Sequence, residues 1–251
     1  MKIKFVCINL WQGGNLMDEI LEFLKREDAD VVLMQEVYDG HDPSWERKFR
    51  SMDLLRKELG YQHENFAPAF LERTNFGKVE QGNAILSKYP ILESQVYFYD
   101  QPYGEREDKP EYFETTPRNL ERVATLVGGR TIQVFNTQGV WEEDGKDNAR
   151  RLMMGQSIIN AIRPYHSVVL GGDFNVREEM KTIGLIEEHL MNVFKQDNRS
   201  TSFNMRHKTN PGFATAVVDM LFVSSSLTVL EHRQCDEDIS DHLALVVIIE
   251  M

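Results

Sequence analysis

Gly171-Gly172-Asp173-Phe174-Asn175 is the stretch on which the fold turns. Before it stands Ser167-Val168-Val169-Leu170, a short apolar, β-branched run that reads as a buried strand. After it, Val176-Arg177-Glu178-Glu179-Met180 reads as the start of a helix. The two glycines let the backbone turn or approach another group closely. Asp173 and Asn175 are two residues apart, so in extended geometry both point the same way off the strand end. One is a charged acceptor; the other is a neutral amide that donates and accepts. The pair suits a metal-activated water beside a phosphate or a carbonyl. It equally suits a turn in which Asp and Asn satisfy backbone groups.

The same punctuation recurs outward from this point. Residues 120–127 and 131–136 are strand patterns split by Gly128-Gly129, a hairpin signal, and the second runs into Asn136-Thr137-Gln138. Residues 148–162 carry a helical apolar face. Downstream, residues 178–189 read as a helix and 217–223 as a strand with Asp219 embedded in it. A carboxylate in such a run rarely lies buried without a partner. Strands at 227–233 and 243–249 flank a turn at 238–242 that carries Asp241 and His242. At the other end, residues 2–10 form a strand ending at Asn9, and Asn15 is placed to cap a helix running to Arg26. Val31-Val32-Leu33-Met34 is the next strand and ends at Gln35-Glu36-Val37. Strand, helix, strand opens a layered α/β arrangement. Residues 45–59 read as a helix closed by Gly60, 61–70 as strand and loop, and 82–91 as two strands about a proline turn. Residues 97–118 and 191–215 read as long loops. The second holds Arg199, Arg206, His207 and Lys208, the clearest local positive patch.

That patch stands in an acidic chain. The net charge is -12, from 40 acidic and 28 basic side chains. A protein that grips long nucleic acid by its backbone carries a positive stripe, so nonspecific duplex DNA binding is expected to be weak. Small anionic substrates or short strand ends fit better. Cys7 and Cys235 lie far apart and flank no ligand pattern, which favours a reducing compartment. With no signal-peptide pattern and no apolar run of membrane-spanning length, a cytoplasmic location without membrane insertion is expected. No Pro/Gly linker splits the chain, so one domain over residues 1–251 is expected.

Asn9, Glu36, Asp173, Asn175, Asp219, Asp241 and His242 all fall at or near strand ends. Carboxylates such as Glu36 and Asp241 can hold a hard divalent ion, Mg²⁺ or Mn²⁺, while leaving room for water and a substrate oxygen. No closed four-ligand spacing favours structural zinc. There is no GxxxxGK[ST] phosphate loop and no Gly-x-Ser-x-Gly elbow.

Taken together, Asn9, Leu33-Met34-Gln35-Glu36, Gly82-Asn83-Ala84-Ile85-Leu86-Ser87, Asn136-Thr137, the Gly171 stretch, Val218-Asp219-Met220-Leu221-Phe222-Val223 and Ser240-Asp241-His242 resemble the endonuclease/exonuclease/phosphatase superfamily, in its order and over nearly the whole chain. The resemblance implies a four-layered α/β sandwich with two central, mainly antiparallel β-sheets flanked by helices. It implies a divalent-metal-dependent hydrolase of phosphoester bonds working by direct in-line attack of an activated water. By position, Glu36 resembles the metal-binding glutamate, Asn9 the asparagine beside that metal, and Asp241 a further metal-site carboxylate. Asp173 resembles the aspartate that aligns or deprotonates water, and Asn175 its phosphate-binding neighbour. His242 would contact the scissile phosphate with Asp219 orienting its ring.

Gln138 departs from the pattern, since many members have histidine after Asn-Thr. Glutamine donates to a phosphate oxygen but does not titrate near pH 7. Arg118 and Arg122 are placed to bind substrate at the site's mouth. The acidic charge points to a small phosphorylated metabolite or lipid headgroup. DNA cleavage or DNA-end processing is the alternative within the class. A noncatalytic binding protein on the same scaffold is the alternative outside it, and Gln138 is its main support.

Overall fold

The computed structural model describes residues 1–107, 109–208 and 215–251. Lys2–Asn9 (β1) runs parallel to Val31–Tyr38 (β2), and the connection carries a distorted turn, Trp11–Gly14 (α1), and the helix Met17–Glu27 (α2). Both strands are buried on both faces, which is why they read as near-continuous apolar runs. They lie inside a seven-stranded sheet. On one side β1 pairs with Ala244–Glu250 (β13), which pairs with Thr228–Cys235 (β12). On the other, β2 pairs with Gly77–Ser87 (β4), then follow His63–Thr74 (β3) and the short Glu105–Glu107 (β6).

The second sheet has six strands. Its centre is Arg130–Gln138 (β8) parallel to Val168–Asp173 (β9). Asn119–Val127 (β7) and Ile91–Phe98 (β5) extend one side; Asp219–Val223 (β11) and Met191–Asn192 (β10) extend the other. Among the described residues only β1–β2, β3–β6 and β8–β9 are parallel, so both sheets are mainly antiparallel.

Three apolar layers hold four layers of structure together. Phe5, Leu33, Ile85, Val134, Val169, Leu221 and Val247 fill the space between the sheets. Ile20, Leu24, Met52 and Leu55 of α2 and Ser51–Leu59 (α3) cover the first sheet. Met154, Ile158, Ile162 and Ile183 of Ala149–Ile162 (α4) and Lys181–Glu187 (α5) cover the second. The expected α/β sandwich is the observed fold.

Several expected boundaries move. The helix expected over 45–59 begins at Ser51, after the 3₁₀ turn Arg47–Arg50. Asn15 is not an N-cap, since α2 starts after Leu16 with no side-chain cap. The helix expected over 178–189 shrinks to α5, whose first amides are capped by Asp147 from far upstream: Lys181 N donates to Oδ2 at 2.7 Å and Thr182 N to Oδ1 at 3.0 Å. The loop over 97–118 contains β6 and the 3₁₀ turn Pro110–Tyr112. Of the loop expected over 191–215, residues 209–214 lie outside the described residues. Among the described residues no helix is long and apolar enough to cross a membrane.

Candidate active site

Strand register puts Gln138, Asp173 and Asp219 side by side, because Gln138 pairs with Asp173 and Asp173 with Asp219. Gly172 makes the alignment sterically possible. Its φ of +154° suits glycine, and a methyl there would overlap the Thr137 carbonyl. In the other sheet Asn9 pairs with Gln35, and the β2–β4 register breaks between Met34 and Val37. This bulge turns the Glu36 carboxylate into the space between the sheet ends. Glu36 has φ +59° and Asn175 φ +54°. Such non-glycine conformations cost about 1–3 kcal/mol each and concentrate at functional sites. Arg151, fully buried, donates from Nη2 to the Asn175 carbonyl at 2.8 Å and fixes that turn from behind.

One hydrogen-bonded network joins the two sheets. Asn9 Nδ2 donates to Glu36 Oε1 at 3.1 Å and to Asp173 Oδ2 at 3.2 Å, while its Oδ1 accepts from Trp11 N at 2.9 Å. Gln12 N donates to Glu36 Oε2 at 2.6 Å, and Gln138 Nε2 to Glu36 Oε1 at 2.8 Å. Arg118 Nη1 donates to Gln138 Oε1. Asn175 N donates to Asp173 Oδ1 at 3.0 Å. His242 Nδ1 and Asp219 Oδ2 are 2.8 Å apart, and the edge of Phe203 packs on the imidazole. Ser240 Oγ donates to the Asn9 carbonyl at 2.7 Å, fastening the turn that carries Asp241 and His242.

The charges are set by these contacts. Burial opposes ionisation of Glu36, but the Gln12 N–H, the Arg118 guanidinium and Asn9 outweigh it and hold the carboxyl below its usual range. Burial pushes Asp173 up to about 6, helped by Asp219 and Glu36 and opposed by His242. Burial works against a charged His242, yet Asp219 and Asp241 raise it to about 10. Burial lowers Arg118 to about 10, so it remains cationic at neutral pH.

Asp173, Asp219 and His242 each bring a ligand-type atom within 4.8 Å of the others, an arrangement able to hold a metal ion. His242 Nδ1 is already engaged by Asp219 Oδ2 at 2.8 Å, so the pair is also placed to share a proton. Glu36 and Asp241 instead line an adjoining cavity, and their hard oxygens fit a divalent ion such as Mg²⁺ or Mn²⁺. The Asn9 oxygen accepts from Trp11 N and its amide nitrogen faces two carboxylates, so it orients Glu36 and Asp173. Gln138 is engaged at both ends of its side chain, bridging Arg118 to Glu36.

The cavity measures about 280 Å³ and is walled by Trp11, Phe113 and Trp141, with Arg118 and Lys208 on its lining. Arg122 is not there. Leu120 pairs with Thr137 but Arg122 with Phe135, further down the hairpin. Its guanidinium bonds Gln133 and Glu93 and lies 4.6 Å from the Tyr165 ring centroid, on the sheet's outer face. The expected positive patch is also dispersed. Arg199 is buried against Glu178, Arg206 pairs with Asp236, and His207 with Asp238. Of the four, Lys208 is the one that lines the cavity, 2.8 Å from Asp241. The sequence reading missed Trp11 and Trp141 as cavity walls. Aromatic residues beside strand ends were the available signal, but aromatics more often anchor loops.

A profile of the Endonuclease/Exonuclease/phosphatase family matches residues 8–242. A search of curated proteins found no match. Among solved structures, an endonuclease/exonuclease/phosphatase from Beutenbergia cavernae aligns with TM-score 0.79 at 18% identity, covering 100% of this chain and 72% of that one. A mannosyl-6-phosphatase from Bacteroides thetaiotaomicron aligns with TM-score 0.73 at 16% identity, covering 99% and 100%. A humanized D. rerio TDP2 aligns with TM-score 0.69 at 14% identity, covering 100% and 99%. Identities this low establish a shared fold. The profile match, which runs from the strand before Asn9 through His242, goes further: this chain belongs to the endonuclease/exonuclease/phosphatase family.

Proposed function

We propose that the protein is a divalent-metal-dependent phosphoesterase that hydrolyses a small phosphorylated molecule by direct attack of water. The observation that carries this reading is one walled cavity holding an ionised Glu36, with Asp173 joined to Glu36 through Asn9 and the Asp219–His242 pair, whose histidine is next in sequence to the cavity residue Asp241. A divalent ion held by Glu36, with Asp241 beside it, supplies positive charge to the phosphoryl oxygens when bound.

The chain's own groups do the rest. Asp173, raised to about 6, is a carboxylate at neutral pH with enough basicity to take a proton from the attacking water. Asn175 holds Asp173 through its backbone N–H and is itself tied to the Gly139 carbonyl by its Nδ2 at 3.1 Å. His242, charged and fixed through Nδ1, directs Nε2–H toward a phosphoryl oxygen and stabilises the charge that develops there. Arg118 adds positive charge behind Gln138. Gln138 does not titrate, so the proton for the departing oxygen comes from another group or from solvent.

A cavity of about 280 Å³ lies at the small end of ligand pockets and suits a sugar phosphate or headgroup phosphate. Dispersal of the basic patch into ion pairs favours this over a groove for duplex DNA. A hydrolysis panel with Mg²⁺, Mn²⁺ and EDTA arms tests the proposal. It contains hexose phosphates, nucleotides, lipid-headgroup diesters, abasic DNA and plain duplex DNA. Metal-dependent phosphate release from a small ester is expected. Cleavage confined to DNA, or no hydrolysis in any arm, would overturn it.

A further inference from the structure

Lys208 presents its ammonium to Asp241, a carboxylate on the same cavity. Its Nζ is 2.8 Å from Asp241 Oδ2 and 5.2 Å from the centroid of the Phe203 ring. The backbone holds it there. Lys208 N donates to the Asn204 carbonyl at 3.0 Å, and Asn204 N donates to the Asp241 carbonyl at 2.8 Å. Asn204 Nδ2 adds a bond to the Ser240 carbonyl at 2.9 Å. The loop carrying the ammonium is therefore stitched to the turn carrying its carboxylate. Lys208 and Asp241 both line the cavity that Glu36 lines.

We infer that Lys208 is a built-in monovalent substitute for a second cation, so that the site takes a single divalent ion, the one at Glu36. This rests on the reading of Glu36 as the carboxylate of that ion. A divalent ion on Asp241 would need its oxygen at roughly 2.0–2.1 Å for Mg²⁺. The ammonium already occupies that side of the carboxylate at hydrogen-bond distance, and an ion beside it would meet a like charge at close range in a partly water-excluded space. The side chain also brings three N–H donors to the cavity. One of them is spent on Asp241 and, among the described residues, the others are left for a phosphoryl or leaving oxygen. Unlike an ion, this cation cannot be lost to a chelator.

Counting bound Mn²⁺ tests the inference without reference to turnover. Free Mn²⁺ is followed by its paramagnetic resonance signal while the protein is titrated, with calorimetry in parallel. Wild type and Lys208→Arg should bind one ion. Lys208→Met keeps the stem but removes the charge, and should bind two. Adding Asp241→Asn to Lys208→Met should return the count to one. Two ions in wild type, or equal counts and affinities in wild type and Lys208→Met, would overturn the inference. Glu36→Gln separates the two readings. Loss of the wild-type ion on that substitution supports the site at Glu36 whatever Lys208 does. If wild type binds none and Lys208→Met gains one, the substitution by lysine stands and the Glu36 reading fails. No ion in either defeats both.

Discussion

Glu121 offers a sharp test of how the two sheets are joined. It projects from β7 into the space between them with no exposed surface. Asn65 Nδ2 donates to Oε1 at 2.7 Å and Asn136 Nδ2 to Oε2 at 3.1 Å. Burial outweighs both bonds and pushes the carboxyl from an ordinary 4.5 up to about 8. An acid whose folded pKa is raised holds its proton more tightly when folded. Its contribution to stability is therefore full below about 4.5 and is lost as pH rises to about 8, where it levels off. At about 1.36 kcal/mol per unit, the loss between these limits is ~3–5 kcal/mol. That is a large share of a typical ~5–15 kcal/mol stability. Glu121→Gln keeps the shape and cannot ionise. It costs a roughly constant ~1–3 kcal/mol where an amide N–H meets an asparagine N–H. Urea unfolding of both proteins from pH 5 to 9, in EDTA to exclude ions, measures the difference directly. The variant should gain on wild type by several kcal/mol between pH 5 and 8 and then run parallel to it. A pH-independent difference would refute the argument, and would mean that Glu121 is ionised in the fold.

Three further outcomes follow from the site. Asp219→Asn removes the partner at 2.8 Å that does most to raise His242. The imidazolium, stable in wild type until pH rises through about 10, should then titrate ~1–2 units lower for a charge-assisted bond of ~1.5–3 kcal/mol, read from the alkaline limb of kcat/KM and the ring proton shifts; an unmoved limb contradicts this. Gln138→Ala should lower kcat/KM by a similar ~10–100-fold on all aryl phosphates by unfastening Glu36 from Arg118, whereas Gln138→His should rescue poor leaving groups most; a histidine variant that changes every ester equally would defeat the leaving-group account. With a net charge of -12, lesion-free duplex DNA should bind weakly at physiological salt, and submicromolar, strongly salt-dependent anisotropy would contradict that.

The strand ends were readable because β9 and β2 are buried on both faces, so their apolar runs stop abruptly where polar chemistry begins. Gly128-Gly129 was readable for a local reason: both glycines take the left-handed turn that a two-residue hairpin requires. What escaped depends on partners distant in sequence. Nothing near Glu36 announces the bulge that aims it, since the break is in its pairing with β4. The short α5 is capped by Asp147, which lies before α4. Arg118 and Arg122 look alike in sequence, but only the first lies at the open end of the hairpin. Lys208 reads as one of a basic cluster, and only the return of the chain at Asp241 shows that it faces inward.

The most direct measurement compares wild type with Glu36→Gln in a single preparation of each, by Mn²⁺ titration calorimetry and by phosphate release from the best small ester. Glu36 is the carboxylate that Asn9, Gln12 and Gln138 together present to the cavity. Replacing it should weaken ion binding and lower turnover by ~10²-fold or more while the thermal melt keeps its shape, since several kcal/mol of transition-state stabilisation depends on the ion it holds. Unchanged ion affinity together with an unchanged rate would contradict the assignment of the metal site, and with it the proposed mechanism.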